Sequence, residues 1–271
     1  MIHHLTQELG LKKQDLVFMH SGVIGLGRLE GGFDVITEAF AEVLSEGLLV
    51  IPSFTYSWCK SEPFDPAVTE CPKEVGSYAQ AAWKDQRFAR SRDPNFAVAA
   101  LKNQFNQPLI EQMLDIGSSC FGKRSVFDHM YKIVKRRNGH VLLLGGAHSD
   151  AVFRTTFIHY VEENVGVPSR YLKKFHDPAD HHKYVEQLCR FISLEEYQAV
   201  TGKTKCHYSL PIISDYSLLG EDLIKENLII RKPFGYSETR MVPLKAFCDF
   251  IEGRLKQNPD YFVNIGKYAV Q

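Results

Sequence analysis

Short apolar runs alternate with helical patterns through the first half of the chain. The run Leu16–Met19 is typical of a buried strand, and apolar positions between 33 and 44 recur at the three- and four-residue spacings of an amphipathic helix. The next apolar run covers 48–51 and ends at Pro52. A strand, a helix and a second strand at this spacing predict a right-handed βαβ unit with two parallel strands.

The same alternation continues toward the C-terminus. Helical patterns are predicted over 76–88, 108–114, 126–136, 153–164 and 244–255, and strands over 96–101, 141–144 and 228–230. These elements predict a single α/β domain over residues 1–271, with a mostly parallel core and helices on its faces. The stretch 167–225 is less regular, apart from a Ser-x-x-Glu capping pattern that begins at Ser193. We expect it to form a small insert subdomain that acts as a substrate-binding element or a lid.

Composition excludes several classes of protein. Lys plus Arg equals Asp plus Glu at 32 each, which argues against a general binder of nucleic acid or of membrane surfaces. A local basic pocket for a phosphorylated ligand is compatible with that balance. No window of 18 apolar residues and no signal-peptide layout is found, and the six cysteines form no Cys-x-x-Cys pair. The sequence therefore predicts a cytoplasmic protein with reduced cysteines, and it leaves a homo-oligomer open.

A glycine-rich segment follows the first predicted strand. Gly25–Glu30 lies where a dinucleotide fingerprint would lie, but Glu30 replaces the third glycine and no acid ends the second strand, so a nicotinamide cofactor is not expected. Two interpretations have equal support. Backbone N–H groups at a helix N-terminus bind anions such as pyrophosphate, and glycine also allows a tight turn with positive φ.

Motifs for serine and metal chemistry are missing from the sequence. No Gly-x-Ser-x-Gly elbow exists, and the adjacency of His20 and Ser21 does not make a catalytic triad. The histidines and aspartates between 176 and 182 lack the spacing of known metal sites and are typical of a hydrated surface loop. We therefore predict neither a serine hydrolase nor a bound metal.

One acid–imidazole pair is a candidate for catalysis. His159 and Glu162 lie three apart on a predicted helix and so share a face, with Glu163 beside them and Asp150 in the preceding loop. A carboxylate next to an imidazole fixes its tautomer and raises its basicity. The pattern alone is common and also fits a solvated helix face.

Eight segments in a fixed order indicate a family. They are VFMHS (17–21), EGGFD (30–34), IPSFT (51–55), GSYAQAA (76–82), RSRDPNFAVAA (90–100), FGKRSVF (121–127), VLLLG (141–145) and TTFIHYVE (155–162). This series resembles the aminoglycoside 3-N-acetyltransferase family, strongly from about Asp15 to Tyr171 and more weakly from Leu228 to the end. The resemblance implies a three-layer α/β/α fold and an enzyme that moves an acyl group from coenzyme A to an amine, without a metal.

The resemblance also implies roles for individual residues. His159 would be the general base and Glu162 its carboxylate partner, with Asp150 and Thr155 in the same catalytic group. A second set would line the coenzyme A site: His20, Ser21, Gly31, Gly32, Thr55, Ser125 and Thr156. Direct transfer needs no covalent intermediate, although Cys120 or Cys59 could be considered as a nucleophile.

The expected acceptor is an amino sugar. The chain departs from drug-acetylating members at 93–97, where they usually have His-Pro-x-x-Ser, and at Arg154, where they usually have Asn. Lysines surround the predicted insert, and basic residues suit a nucleotide-linked amino sugar for surface polysaccharide, because its diphosphate is anionic. The transferred group would be acetyl or hydroxyacyl. The alternatives are an aminoglycoside 3-N-acetyltransferase that confers antibiotic resistance and a non-catalytic ligand-binding member of the fold.

Overall fold

A seven-stranded sheet forms the centre of the computed structural model, which describes residues 1–146 and 153–263. The strands, in chain order, are β1 (Leu16–Ser21), β2 (Leu48–Pro52), β3 (Phe88–Arg90), β4 (Val98–Leu101), β5 (Gly139–Leu144), β6 (Arg170–Asp177), β7 (Asp180–Arg190), β8 (Ile230–Phe234) and β9 (Ser237–Pro243). The central sheet has the order β3-β4-β2-β1-β5-β9-β8, and β6 pairs with β7 in a separate hairpin.

The central sheet is parallel in its middle and antiparallel toward both edges. β1 pairs in parallel with β2 and with β5. β4 joins β2, β3 joins β4, β9 joins β5 and β8 joins β9, all antiparallel. The predicted α/β class and the parallel β1–β2 unit are confirmed, and the sheet as a whole is mixed.

Helices cover both faces of this sheet. They are α1 (Asp34–Val43), α2 (Ser77–Lys84), α3 (Gln107–Leu114), α4 (Val126–Val134), α5 (Phe157–Val165), α6 (Leu194–Thr201), α7 (Ser217–Lys225) and α8 (Leu244–Gln257). Val17 and Met19 of β1 pack in one apolar cluster with α1 and α2, whereas Leu16 and Phe18 pack in another with α3, α4, α5, α7 and α8. β1 is apolar throughout its buried part because both of its faces are covered. The expected three layers are therefore present.

Several predicted element boundaries differ from the structure, and the strand expected over 228–230 lies at Ile230–Phe234. The helix expected over 76–88 ends at Lys84, and Phe88 begins the short strand β3. The reason is a turn in which the Asp85 carboxylate accepts a hydrogen bond from the Arg87 backbone N–H at 2.8 Å. The helix expected from 153 begins at Phe157, because the preceding residues form its entry turn.

The irregular stretch 167–225 contains the β6–β7 hairpin, α6 and α7. The hairpin is anchored to the main core, since Val185 is buried there and the Cys120 N–H donates to the Glu186 carbonyl at 2.8 Å. Ser193 caps α6 as predicted, accepting a hydrogen bond from the Glu196 N–H at 3.2 Å. A small apolar cluster of its own packs beneath α6; its buried members are Phe191, Tyr197, Tyr208 and Ile212.

Two further properties concern the described part of the chain. No helix within 1–146 or 153–263 combines the length and the apolar content needed to cross a membrane. Within the same residues, no group of three or more His, Cys, Asp or Glu side chains is arranged to hold a metal ion.

Ser125 should contribute to stability through its position at the start of α4. Its hydroxyl is buried and accepts a hydrogen bond from the Asp128 N–H at 3.2 Å, and α4 places Phe127 in the core. We expect Ser125→Ala to lower the free energy of unfolding by about 1 kcal/mol, because a helix cap is lost. Urea denaturation measures this change, and Ser217→Ala, at the exposed first residue of α7, is the matched control. Equal stability of the Ser125 variant and the parent protein would contradict the assignment.

Candidate active site

Two cavities lie side by side at the carboxyl end of the parallel strands, where open α/β sheets bind their ligands. The first, of about 490 Å³, is lined by Met19, His20, Ser21, Gly22, Ile51, Pro52, Val75, Tyr78, Ala79, Leu143, Gly146 and Arg154. The second, of about 520 Å³, is lined by Phe96, Phe121, Arg154, His159, Arg170, Tyr171, Lys173, Phe175, Gln187, Leu188, Cys189, Arg190, Ile192, Glu196, Ser214 and Tyr216. Both have the size of small-molecule sites, and Arg154 borders both.

Close backbone approach shapes the wall of the first cavity. A Cβ atom at Gly22 would lie 2.4 Å from the Cα of Gly146, and one at Gly25 would lie 2.0 Å from the carbonyl oxygen of Gly145. The Gly22 N–H also extends the β1–β5 ladder by donating to Leu144 at 2.8 Å. These contacts require glycine, because any side chain would separate the two strand ends. Of the two interpretations of the glycine-rich segment, they favour the tight turn.

His159 lies on α5 and faces the second cavity. Its Nδ1 is 2.7 Å from Oε2 of Glu162, one turn along the helix, and its ring packs 5.3 Å from that of Phe121. The side chain of His159 is 30% exposed, whereas that of Glu162 is only 2% exposed. A carboxylate can only accept a hydrogen bond, so it places the imidazole proton on Nδ1 and leaves the Nε2 lone pair available as a base.

Glu162 stays ionised although it is buried. Burial alone would raise its pKa, but the hydrogen bond and charge of His159, followed by the charge of Arg170, outweigh burial and hold the pKa below its usual value. Arg170 lies 3.4 Å from Oε1 of Glu162 and donates to Ser214 Oγ at 2.7 Å and to the Tyr216 hydroxyl at 3.4 Å. The carboxylate therefore has a partner on each of its two oxygens.

His20 lies at the end of β1 and lines the first cavity. Its Nε2 is 3.1 Å from Oγ1 of Thr155, and Phe18 packs edge-on against its ring. Burial lowers the pKa of His20 to about 4, so the ring is neutral at pH 7. A neutral imidazole can hold the Thr155 hydroxyl in one orientation without bringing a charge into the cavity.

The other predicted site residues are divided among several places. Ser21 lines the first cavity, and Thr156 is buried in the first turn of α5, where its carbonyl accepts the His159 N–H at 3.0 Å. Gly31 and Gly32 have positive φ and line a separate cavity of about 520 Å³, which shares Tyr78 with the first.

Several predicted residues line neither the cavity of His20 nor that of His159, among them Thr155 and Thr156. The Thr55 hydroxyl is buried and donates to the Pro94 carbonyl, and Ser125 caps α4. Neither lines the cavities of His20 and His159. Asp150 lies outside the described residues.

The two cysteines considered as nucleophiles are protonated thiols. Cys120 is completely buried, and burial raises its pKa far above the usual value. Burial raises the pKa of Cys59 to about 12, and its thiol contacts Gln187 Oε1 at 3.0 Å. Because the thiolate is the reactive form, neither residue is suited to attack a thioester.

Sequence reasoning missed several residues that the fold brings to His159. Arg170 and Gln187 come from the β6–β7 hairpin, Tyr216 precedes α7, and Phe121 precedes α4. Phe121 opens the FGKRSVF segment, but nothing in that segment indicated a contact with His159. Arg170, Gln187 and Tyr216 belong to no local motif, and they reach the cavity only through the packing of the fold. Arg154 was noted only as a departure from a family pattern, and its position between the two cavities is visible only in the structure.

Comparison with solved structures shows a shared fold. The aminoglycoside acetyltransferase AAC(3)-IVa, as apoenzyme, is 24% identical, with 96% of this chain and 89% of that chain covered and a TM-score of 0.70. AAC-VIa bound to sisomicin is 17% identical, with 94% of this chain and 96% of that chain covered and a TM-score of 0.71. AAC-IIIb in a binary complex with CoASH is 17% identical, with 94% and 95% covered and a TM-score of 0.68.

Comparison at the level of sequence gives the family. Aminoglycoside N(3)-acetyltransferase IV of Salmonella sp is 31% identical over 161 residues, which are 59% of this chain and 56% of that protein. The chain thus aligns with little more than half the length of this curated relative. A family model described as aminoglycoside 3-N-acetyltransferase matches residues 18–256, which is most of the chain. The expectation drawn from the eight ordered segments is confirmed: the protein belongs to the aminoglycoside 3-N-acetyltransferase family.

Proposed function

We propose that the protein is an N-acyltransferase that moves an acyl group from acyl-coenzyme A to an amine of an amino sugar. The observation that carries the proposal is the imidazole of His159, which is held by a buried carboxylate and open to a cavity that adjoins a second cavity at Arg154. Two adjoining cavities with a base beside their junction suit a direct reaction between two bound substrates.

The proton to be removed belongs to the acceptor. An amine arrives mostly as an ammonium ion, and it attacks the thioester carbonyl only after losing a proton, which Nε2 of His159 would accept. Glu162 then stabilises the resulting imidazolium through Nδ1. The carbonyl oxygen becomes an oxyanion and needs a donor, a role that the Thr155 hydroxyl, oriented by His20, would fill. When the intermediate collapses, its nitrogen gives up a second proton to the departing sulfur, so that the products are an amide and the thiol of coenzyme A. His159 then returns its proton to solvent.

The first cavity suits the pantetheine arm of coenzyme A. Its lining is mainly apolar, and the one imidazole in it, His20, is neutral. Beyond Tyr78 lies the cavity of Gly31 and Gly32, into which the phosphate end of the molecule would extend. The neighbour AAC-IIIb, solved with CoASH, supports the same cofactor for this chain.

The insert, residues 167–225, forms much of the cavity that we propose for the acceptor. The β6–β7 hairpin supplies much of the second cavity, including Arg170, Lys173 and Gln187, while α5 supplies His159. We therefore assign the residues of the insert that line this cavity, between Arg170 and Tyr216, to acceptor binding rather than to a lid.

The identity of the acceptor has two candidates. The relatives and neighbours are named as aminoglycoside acetyltransferases, and one neighbour was solved with a gentamicin and with apramycin, which supports an aminoglycoside. The nucleotide-linked amino sugar expected from the sequence has no support in these comparisons. Acetylation of gentamicin, measured as thiol release from acetyl-coenzyme A, tests the first candidate. Binding of acyl-coenzyme A without consumption of any amine would instead show a non-catalytic member.

His159→Asn should separate binding from chemistry. We expect kcat to fall by about 10²–10⁴-fold, because the general base is lost, while the Kd of coenzyme A stays within about twofold. Thiol release from acetyl-coenzyme A with a saturating amine acceptor measures kcat, and calorimetry measures coenzyme A binding. His182→Asn, on the exposed part of the β6–β7 hairpin, is the matched control and should keep full activity. An unchanged kcat in His159→Asn would remove the assigned base.

His20 should make stability depend on pH in a defined window. Its pKa is about 4 in the folded protein, against about 6.5 in an unfolded chain. As pH falls from 6.5 to 4, the unfolded chain binds a proton at this position and the folded protein does not, so the free energy of unfolding decreases, by at most about 3 kcal/mol. Urea titrations across this window should show a smaller decrease for His20→Gln than for the parent protein or for His182→Gln. Parallel curves for all three proteins would contradict the assignment.

A further inference from the structure

Basic side chains dominate the cavity that holds His159. Arg154, Arg170, Lys173 and Arg190 all line it, and Glu196 is the one acidic side chain among its described lining residues. The four come from three places in the chain: the turn before α5, strand β6 and the end of strand β7. Their convergence is therefore a property of the fold and not of a local basic run.

Two of these four cations already have carboxylate partners. Arg170 is 7% exposed and lies 3.4 Å from Glu162, and Lys173 lies 3.7 Å from Glu196. Arg154 and Arg190 are exposed, and no carboxylate of the described residues lies within ion-pair distance of either. The guanidinium of Arg154 instead lies 5.8 Å from the centre of the Tyr216 ring. The cavity thus holds an excess of positive charge beside the proposed base.

We propose that the acceptor amine belongs to a molecule that also carries a phosphate or diphosphate ester, and that Arg154 and Arg190 bind that group. The inference rests on the proposed function, since it specifies the acceptor of the same site. A guanidinium presents paired N–H donors that match two phosphate oxygens, and such charge-assisted hydrogen bonds are stronger than neutral ones.

The same charges oppose a polycationic acceptor. An aminoglycoside carries several ammonium groups, and placing them beside Arg154 and Arg190 would bring like charges together. Transfer also requires that the amine of the acceptor approaches His159 while another part of the acceptor is bound to the protein. A phosphate bound at Arg154, next to the first cavity, fixes the acceptor close to the junction where transfer occurs.

The aromatic lining fits the remainder of such a molecule. Phe96, Tyr171 and Phe175 line the same cavity, and Phe121 supports the ring of His159. Aromatic faces bind sugar rings and nucleobases without adding charge. The phosphate could belong to a sugar monophosphate or to a nucleoside diphosphate sugar. Both would contact the two arginines, but the second also carries a nucleobase and would contact more of the aromatic lining.

A binding experiment tests the anion subsite independently of turnover. Inorganic pyrophosphate is titrated by calorimetry into protein saturated with coenzyme A, so that the phosphate positions of the cofactor are filled. We expect binding that weakens about tenfold or more in the double variant Arg154→Gln, Arg190→Gln, and stays unchanged in Arg136→Gln. Arg136 is exposed and follows α4, before the start of β5 and thus at the opposite end of that strand. The subsite is refuted if pyrophosphate does not bind to the parent protein. It is also refuted if the double variant and the Arg136→Gln variant lose affinity for pyrophosphate equally.

A kinetic experiment tests the acceptor class. Thiol release from acetyl-coenzyme A is compared for glucosamine, glucosamine 1-phosphate, uridine diphosphate glucosamine and gentamicin. We expect kcat/KM for a phosphorylated acceptor to exceed that for glucosamine at least tenfold, with the advantage lost in the double arginine variant; the better of the two phosphorylated compounds identifies the source. Faster turnover of gentamicin would overturn the inference. Failure of coenzyme A to bind, or of every amine to react, counts against the proposed function. Pyrophosphate binding then decides the subsite alone, and it is measured on the protein without coenzyme A if the cofactor does not bind.

Discussion

The hydrogen bond between His159 and Glu162 is the interaction on which the site depends. It joins a buried carboxylate to a partly exposed imidazole over 2.7 Å and so fixes both the tautomer and the direction of the ring. An ionised carboxylate at this depth is costly unless both oxygens are satisfied. The second oxygen faces Arg170, which is itself held by Ser214 and Tyr216. The proposed base on α5 is therefore positioned by residues of the insert, and the candidate site requires both parts of the chain.

The backbone of the central strands imposes the other constraint. β1 and β5 run side by side and end at Ser21 and Leu144, and their extensions meet where Gly22 contacts Gly146. The first cavity lies beside this contact and is lined by Tyr78 and Ala79 of α2. His20 at the end of β1 is 3.1 Å from Thr155, which adjoins Arg154 in the chain, and Arg154 lines both cavities. The proposed proximity of the two substrates would follow from this arrangement.

Local features of the site could be predicted from the sequence, and long-range ones could not. The shared face of His159 and Glu162 was predicted because a three-residue spacing on a helix is a local rule, whereas their roles came from the family resemblance. β1 was predicted because an apolar run marks a strand covered on both faces. The antiparallel pairing of β4 with β2 and of β9 with β5 was not predicted, because these partners are distant in the chain. The Thr55 hydroxyl is occupied by the carbonyl of Pro94, a contact that no spacing could indicate. The same holds for Arg170, which reaches Glu162 only after the hairpin has packed.

Membership of the family indicates which reaction takes place, and the charge of the cavity indicates which acceptor can bind. The family match spans the strands and helices that build the base and the first cavity, and it therefore bears on the acyl transfer itself. The charge that an acceptor meets is determined by Arg154 and by the side chains of the β6–β7 hairpin, which can change without disturbing the central sheet. An anionic acceptor is therefore consistent with membership of the family, because the reaction proposed at His159 requires only a deprotonated amine near the thioester. Which acceptor binds depends on how well the charges on the rest of the acceptor match those of the cavity.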